Sequence, residues 1–189
     1  GDGDRKQLMS GTIDRVDICE NGTDVYVRII DYKTGKKDFN IVKTYYGIDI
    51  QLMVYMEAAM KLVAKMRPGK NVIPAGVFYY NISDPIVSAT TESADEIEDK
   101  IKGELRLKGM VNSDKDIAEK MDNTEGTSLN IPVSRKADGG FDSRRSKVMN
   151  TEQFNMLGRF VDVRAVDTAD RIAGGDIRRS PYKDGQFSS

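Results

Sequence analysis

Residues 8–35 read LMSGTIDRVDICENGTDVYVRIIDYKTG, and the fold is decided in this stretch. Leu8–Cys19 alternates loosely between apolar and polar side chains, and Asp24–Lys33 is rich in Val, Ile and Tyr, so both read as strands. Between them Asn21-Gly22 stands among β-prone residues, the signal for a tight antiparallel hairpin. Two registers are open. A loop of Asn21-Gly22 pairs residues whose numbers sum to 43, and a loop from Asn21 to Asp24 pairs those that sum to 45. Asp14 lies diagonally from Asp31 in the first register and directly opposite it in the second, and Lys33 shares their face by strand alternation.

Outward from the hairpin, Ile48–Met66 is long, Met- and Ala-rich and closed by Arg67-Pro68-Gly69, which predicts a helix. It is apolar over most of its circumference, so it is expected to be buried against a sheet. Pro74–Ile82 reads as a third strand and Ile86–Thr90 as a fourth, across a Ser83-Asp84-Pro85 turn. Ala94–Lys108 has helical spacing after Ser93 as N-cap, and Lys115–Met121 predicts a short helix. The polar excursion from Asp122 to Ser146 holds an expected strand at Leu129–Val133 and a hairpin tip at Asp138-Gly139-Gly140. Thr151–Ala173 is a second long amphipathic helix, stopped by Gly174-Gly175. Strands first, then strands between helices, predict an α/β fold with a mixed β-sheet flanked by helices. A chain of 189 residues is the right size for it as a single domain.

Composition narrows the chemistry. The chain has no histidine, which removes Ser-His and Cys-His nucleophiles and His-rich zinc sites. The lone cysteine, Cys19, has no partner for an internal disulfide or thiolate site and is expected to be a packed strand residue. Net charge is -1, so any contact with a phosphate backbone must be local rather than a bulk attraction. No run of about 18 apolar residues offers a membrane span. The N-terminus has no apolar signal region, and a reducing cytoplasmic setting is expected. No G-x-x-x-x-G-K-[ST] loop occurs, so ATP hydrolysis would belong to another region or subunit.

Catalysis must therefore run on carboxylates, lysine or a metal. Two carboxylates on one face of a hairpin repel, at a cost of roughly 0.2–1 kcal/mol even when exposed. A divalent cation offsets that repulsion, and Mg²⁺ favours one or two carboxylates completed by waters and phosphate oxygens. A lysine beside them can neutralise charge growing on a phosphate. Asp14, Asp31 and Lys33 thus form a minimal set for phosphodiester hydrolysis. Arg15 and Asp17 point to the other face, where they are expected to pair structurally, and Lys36 and Lys37 read as a solvated charge run.

Gly11-Thr12-Ile13-Asp14-Arg15-Val16-Asp17, then Asp31-Tyr32-Lys33-Thr34-Gly35, then Gln51-Leu52-Met53-Val54-Tyr55 resemble, in order, the GxIDRxD, DYKTG and QLxxY motifs of RecB-type PD-(D/E)XK nucleases. The strand PAGVFYYNI, the late helix and the GGDI…SPY tail are more loosely similar to the nuclease domain that ends the B subunit of AddAB-type helicase-nucleases. The resemblance implies Asp14, Asp31 and the Tyr32 carbonyl as ligands of Mg²⁺ or Mn²⁺, and Lys33 as the catalytic lysine. It also places Gln51 and Tyr55 beside the metal as substrate contacts. It further implies a DNA exonuclease acting on single strands delivered by a helicase-nuclease A subunit, in double-strand-break repair and recombination. Two family features are missing: a histidine before the first aspartate, and the cysteines of a 4Fe-4S cluster, which are expected in a longer parent protein of which this chain reads as a fragment. Two alternatives stand beside this reading. One is a noncatalytic DNA-binding or scaffold domain on a nuclease fold, and the other is a free-standing phage- or CRISPR-type nuclease.

Overall fold

The computed structural model describes residues 11–82 and 94–176. The expected strand Ile86–Thr90, the Ser93 cap, the first three residues of the expected opening strand and the SPY segment lie outside them. The elements are β1 (Arg15–Asn21), β2 (Asp24–Lys33), α1 (Ile41–Tyr45), α2 (Gln51–Met66), β3 (Asn71–Asn81), α3 (Ala94–Leu105), β4 (Lys108–Asn112), α4 (Lys115–Met121), β5 (Val148–Met149) and α5 (Thr151–Ala173). The strands form one mixed sheet in the order β1-β2-β3-β4-β5. β1/β2 and β3/β4 are antiparallel; β2/β3 and β4/β5 are parallel. The α/β architecture is thus as expected.

The hairpin adopts the register in which Asn21 faces Asp24, with Gly22 at φ +60° turning the loop. Along β2, Val25, Val27 and Ile29 are fully buried against one face of the sheet, packed on Leu52, Met53 and Met56 of α2 and on Phe154 and Val161 of α5. Their spacing on α2 puts them on one stripe, while Leu62 and Met66 remain exposed, so the helix is amphipathic rather than buried all round. On the opposite face Ile30, Phe78, Val111, Ile131 and Val133 make a second core.

α2 begins at Gln51, three residues later than its apolar pattern suggests. Asn40 caps α1 by accepting from Val42 and Lys43 N–H, and the turn after it is tied back: Ile48 N–H donates to Lys43 O and the Thr44 hydroxyl to Asp49 O. Ile48 and Asp49 are held by α1 and are unavailable to α2. α3 ends at Leu105, three residues short of the expected Lys108, where β4 begins, and Leu129–Val133 is not a strand. There the Asp122 carboxylate accepts from the Ser128 hydroxyl (2.6 Å), Thr124 N–H (2.7 Å) and the Asn130 amide (2.9 Å) and winds the chain into turns. The expected tip is present, with Gly139 at φ +75° and an Arg135–Phe141 bridge behind it.

Burial pushes the Asp122 carboxyl up, but the three hydrogen bonds outweigh it and hold the group at about 2, below an ordinary 3.8. A depressed carboxyl stabilises the fold above its unfolded pKa, and that contribution, about 2 kcal/mol here, fades as pH falls from about 4 to 2. Urea unfolding of Asp122→Asn should accordingly lose this part of the acid dependence, leaving a shallower fall in midpoint across that window than in the parent chain.

Candidate active site

The alternation that buries Val25, Val27 and Ile29 continues to Asp31 and Lys33 as β2 leaves the core. Asp31 inherits the burial of the stripe and is only 2% exposed, whereas Lys33 reaches the open end of the sheet. Its Nζ lies 2.5 Å from Asp31 Oδ2. That approach lacks the directionality of a hydrogen bond, and Asp31 Oδ2 has no hydrogen-bond partner. A buried carboxylate oxygen left in this state is costly unless another ligand completes its shell.

Asp14 is the residue before β1 and is exposed. Its Oδ2 accepts from Tyr32 N–H at 2.9 Å, which fixes it across the strand end from Asp31, as the observed register requires. The Tyr32 ring points to the opposite face, edge-on to Tyr80 at 5.7 Å, so only its main chain can serve the Asp31 side. Lys33 Nζ also donates to Gln51 Oε1 (2.9 Å), and Gln51 Nε2 donates to the Tyr55 hydroxyl (2.9 Å). Gln51 and Tyr55 are one turn apart on α2. The structure therefore brings together Asp14, Asp31, Lys33, Gln51 and Tyr55.

Sequence reasoning missed a second layer. Tyr79, in register with Asp31 on β3, donates its hydroxyl to Asp49 Oδ1 at 2.7 Å, and Lys37 Nζ is 3.0 Å from the same oxygen. The Tyr79 ring lies under both Lys37 Nζ (4.8 Å) and Lys33 Nζ (5.7 Å). Burial, then the hydrogen bond to Asp49 and the charges of Asp49 and Asp31, push the Tyr79 phenol well above the ordinary tyrosine range, so it remains a donor. Lys37 is thus paired with a buried carboxylate and not solvated as expected; Lys36 is, with Glu104 at 3.2 Å. Asp49, two residues before Gln51, was the one available hint. On the other face Arg15 (2.9 Å) and Arg28 (2.6 Å) both hold Asp17, the expected structural pairing. Cys19 is exposed, contrary to expectation: strand alternation assigns a face, and among the described residues no layer covers this part of edge strand β1.

Among the described residues no group of three or more His, Cys, Asp or Glu side chains converges to hold a metal. Two hard carboxylates, one with a buried oxygen that accepts no hydrogen bond, and a nearby main-chain carbonyl nevertheless fit Mg²⁺ or Mn²⁺, which take waters for the remaining positions. The chain does not fit an iron-sulfur cluster, having one cysteine in all.

A family model described as the PD-(D/E)XK nuclease superfamily matches residues 4–186. Curated proteins similar to the chain include the B subunit of the ATP-dependent helicase/deoxyribonuclease of Thermoanaerobacter sp. (strain X514), 38% identical over 94% of this chain and 15% of that protein. The protein of the same name from Caldanaerobacter subterraneus subsp. tengcongensis is 41% identical over 93% of this chain and 15% of its own length. That of Clostridium kluyveri is 36% identical over 96% and 16%. The chain thus spans about 15% of the length of the curated relatives it matches.

Proposed function

Because the chain belongs to the PD-(D/E)XK nuclease superfamily, we propose that it is a metal-dependent deoxyribonuclease domain whose cleavage site is the Asp14–Asp31–Lys33 cluster. The observation that carries this is the buried Asp31 Oδ2, which accepts no hydrogen bond and has the Lys33 ammonium as its ion-pair partner. Asp14, Asp31 and the Tyr32 carbonyl would hold the cation. Bound there, Mg²⁺ or Mn²⁺ would supply Lewis acidity toward a phosphate oxygen and an acidified water. Lys33 is held between Asp31 and Gln51, so its ammonium is positioned to donate to a phosphoryl oxygen as negative charge grows on it. Gln51 fixes Lys33 and is itself fixed by Tyr55, which limits the ammonium to one orientation; both stand where substrate would be contacted. The Tyr79 ring lies 5.7 Å from the Lys33 ammonium, within cation–π reach.

The relatives' name supports a helicase-nuclease setting, in which the chain would act as an exonuclease on single strands delivered with an A-type subunit during double-strand-break repair and recombination in the cytoplasm. An intact Asp14, Asp31 and Lys33 set favours catalysis over a scaffold role. Incubation with an end-labelled single strand and Mn²⁺ should yield shortened products that EDTA prevents; an intact strand under both conditions would overturn the reading.

Lys33 also competes with a cation for Asp31. Lys33→Ala is expected to lose cleavage while its Mn²⁺ dissociation constant stays level or falls severalfold in a calorimetric titration. Weaker binding in that variant would mean that Lys33 organises the site rather than competing for it.

A further inference from the structure

Beside the cluster, the loop after β2, the end of β3, the end of α3 and the start of β4 enclose a groove of about 420 Å³. Lys36, Lys37, Arg106, Lys108, Arg145 and Lys147 line it against only Asp38 and Glu104. This is a local excess of positive charge in a chain of net charge -1. The two carboxylates pair with Lys147 and Lys36, but between exposed side chains, where an ion pair is weak and Lys147 can exchange Asp38 for a phosphate. Lys37 is paired with Asp49, whereas two further cations spend hydrogen bonds on neutral partners: Arg106 donates to Ile131 O (2.8 Å) and Val133 O (3.0 Å), and Lys108 to Gly103 O (2.6 Å). Among the described residues none of Arg106, Lys108 and Arg145 is within ion-pair distance of a carboxylate, so carboxylates offset them only at longer range, Asp122 for Arg106 and Glu104 and Asp38 for Lys108. Burial lowers the Lys108 ammonium below the ordinary lysine range; Glu104 pulls it back and Arg106 presses it down further, a strain an anion would relieve. A concave wall of one sign concentrates the field more than a flat patch does.

The groove adjoins the Asp49–Tyr79 layer of the candidate site through Lys37 and Asn81. Asn81, in register with Lys33, accepts from Lys37 N–H at 3.1 Å and donates to Lys37 O at 3.0 Å, so one residue pair forms both the groove wall and the flank of the Asp49–Tyr79 layer.

We propose that this groove binds the sugar-phosphate backbone of a nucleic-acid single strand through Lys108, Arg145 and Lys147 and leads it, past Lys37 and Asn81, to Asp31 and Lys33. The destination of the path rests on the reading of that cluster as a cleavage site; the binding does not. The test is fluorescence anisotropy of a labelled oligothymidylate of about 20 nucleotides, longer than the roughly 4–16 nucleotides typical of one single-strand-binding module, titrated in EDTA across a salt series. Combining Lys108→Gln, Arg145→Gln and Lys147→Gln should weaken binding about tenfold or more and flatten the log-log salt dependence by about 2, at roughly 0.7 per lost phosphate contact. Arg145→Gln alone, at an exposed side chain that no fold depends on, should flatten it by about 0.7. Lys65→Gln, in the last turn of α2, should change neither quantity. Parental affinity and slope in both groove variants would overturn the proposal, whatever the chain cleaves. Loss of binding in EDTA by a chain that never cleaves would uphold the groove and overturn the nuclease reading instead.

Discussion

Replacing Asp31 with asparagine is expected to lower strand cleavage by on the order of 10³-fold, because on the proposed reading the charge at this position holds the cation and would supply several kcal/mol of transition-state stabilisation. The substitution keeps the side chain's shape in a site that is only 2% exposed, so folding is not what fails. The diagnostic is thermal. In EDTA the melting temperatures of the two proteins should agree within a few degrees, since the amide oxygen can still face Lys33. With saturating Mn²⁺ the parent chain should rise, by about 2.7 kcal/mol of stability at a hundredfold excess over the dissociation constant, and the variant should not. A variant that cleaves at the parental rate would remove Asp31 from the chemistry, and one that is already unfolded in EDTA would make its role structural.

The second large effect is on stability. Gly109 lies opposite Phe78 where β4 meets β3, and a Cβ there would sit 1.9 Å from Val77 O and 2.8 Å from Phe78 Cα. Both are backbone atoms of a central strand whose neighbours on each side are paired, so neither can retreat without breaking the ladder. Overpacking that cannot relax costs about 1–3 kcal/mol or more, and Gly109→Ala is placed at or above the upper end, a large fraction of a typical domain stability of about 5–15 kcal/mol. Gly158→Ala is the control. Its Cβ would meet Glu57 Oε1 at 1.8 Å, a nominally worse overlap, but with the far end of a side chain that can swing toward solvent. Urea titration should show a large fall in midpoint for the first and a small one for the second; equal midpoints would contradict the packing argument.

The same glycine explains what was hard to read in the sequence. Lys108–Asn112 carries a glycine needed for close approach to β3, and neither its length nor its pattern marks a strand; only the exposed edge of β3 makes it one. By contrast the hairpin, β2 and α5 were legible, because Asn21-Gly22, the β-branched run and the Thr151–Ala173 spacing each act through local chain geometry. The same holds for the cluster. Asp14, Asp31 and Lys33 share a face by hairpin register and alternation, whereas helical spacing puts Gln51 and Tyr55 on one face of α2 and only the family resemblance places that face beside the cluster. Tyr79, Asp49 and Lys37 meet through a parallel β2/β3 pairing that no local pattern reports, and the exposure of Cys19 depends on which layers cover β1.

The central claim is that the Asp14–Asp31 pair is built to hold a divalent cation. Calorimetric titration of Mn²⁺ into the parent chain and into a double variant, Asp14→Ala with Asp31→Ala, tests it most directly. The account predicts one saturable site in the parent and none in the double variant. A site of equal affinity in both, or in neither, would contradict it.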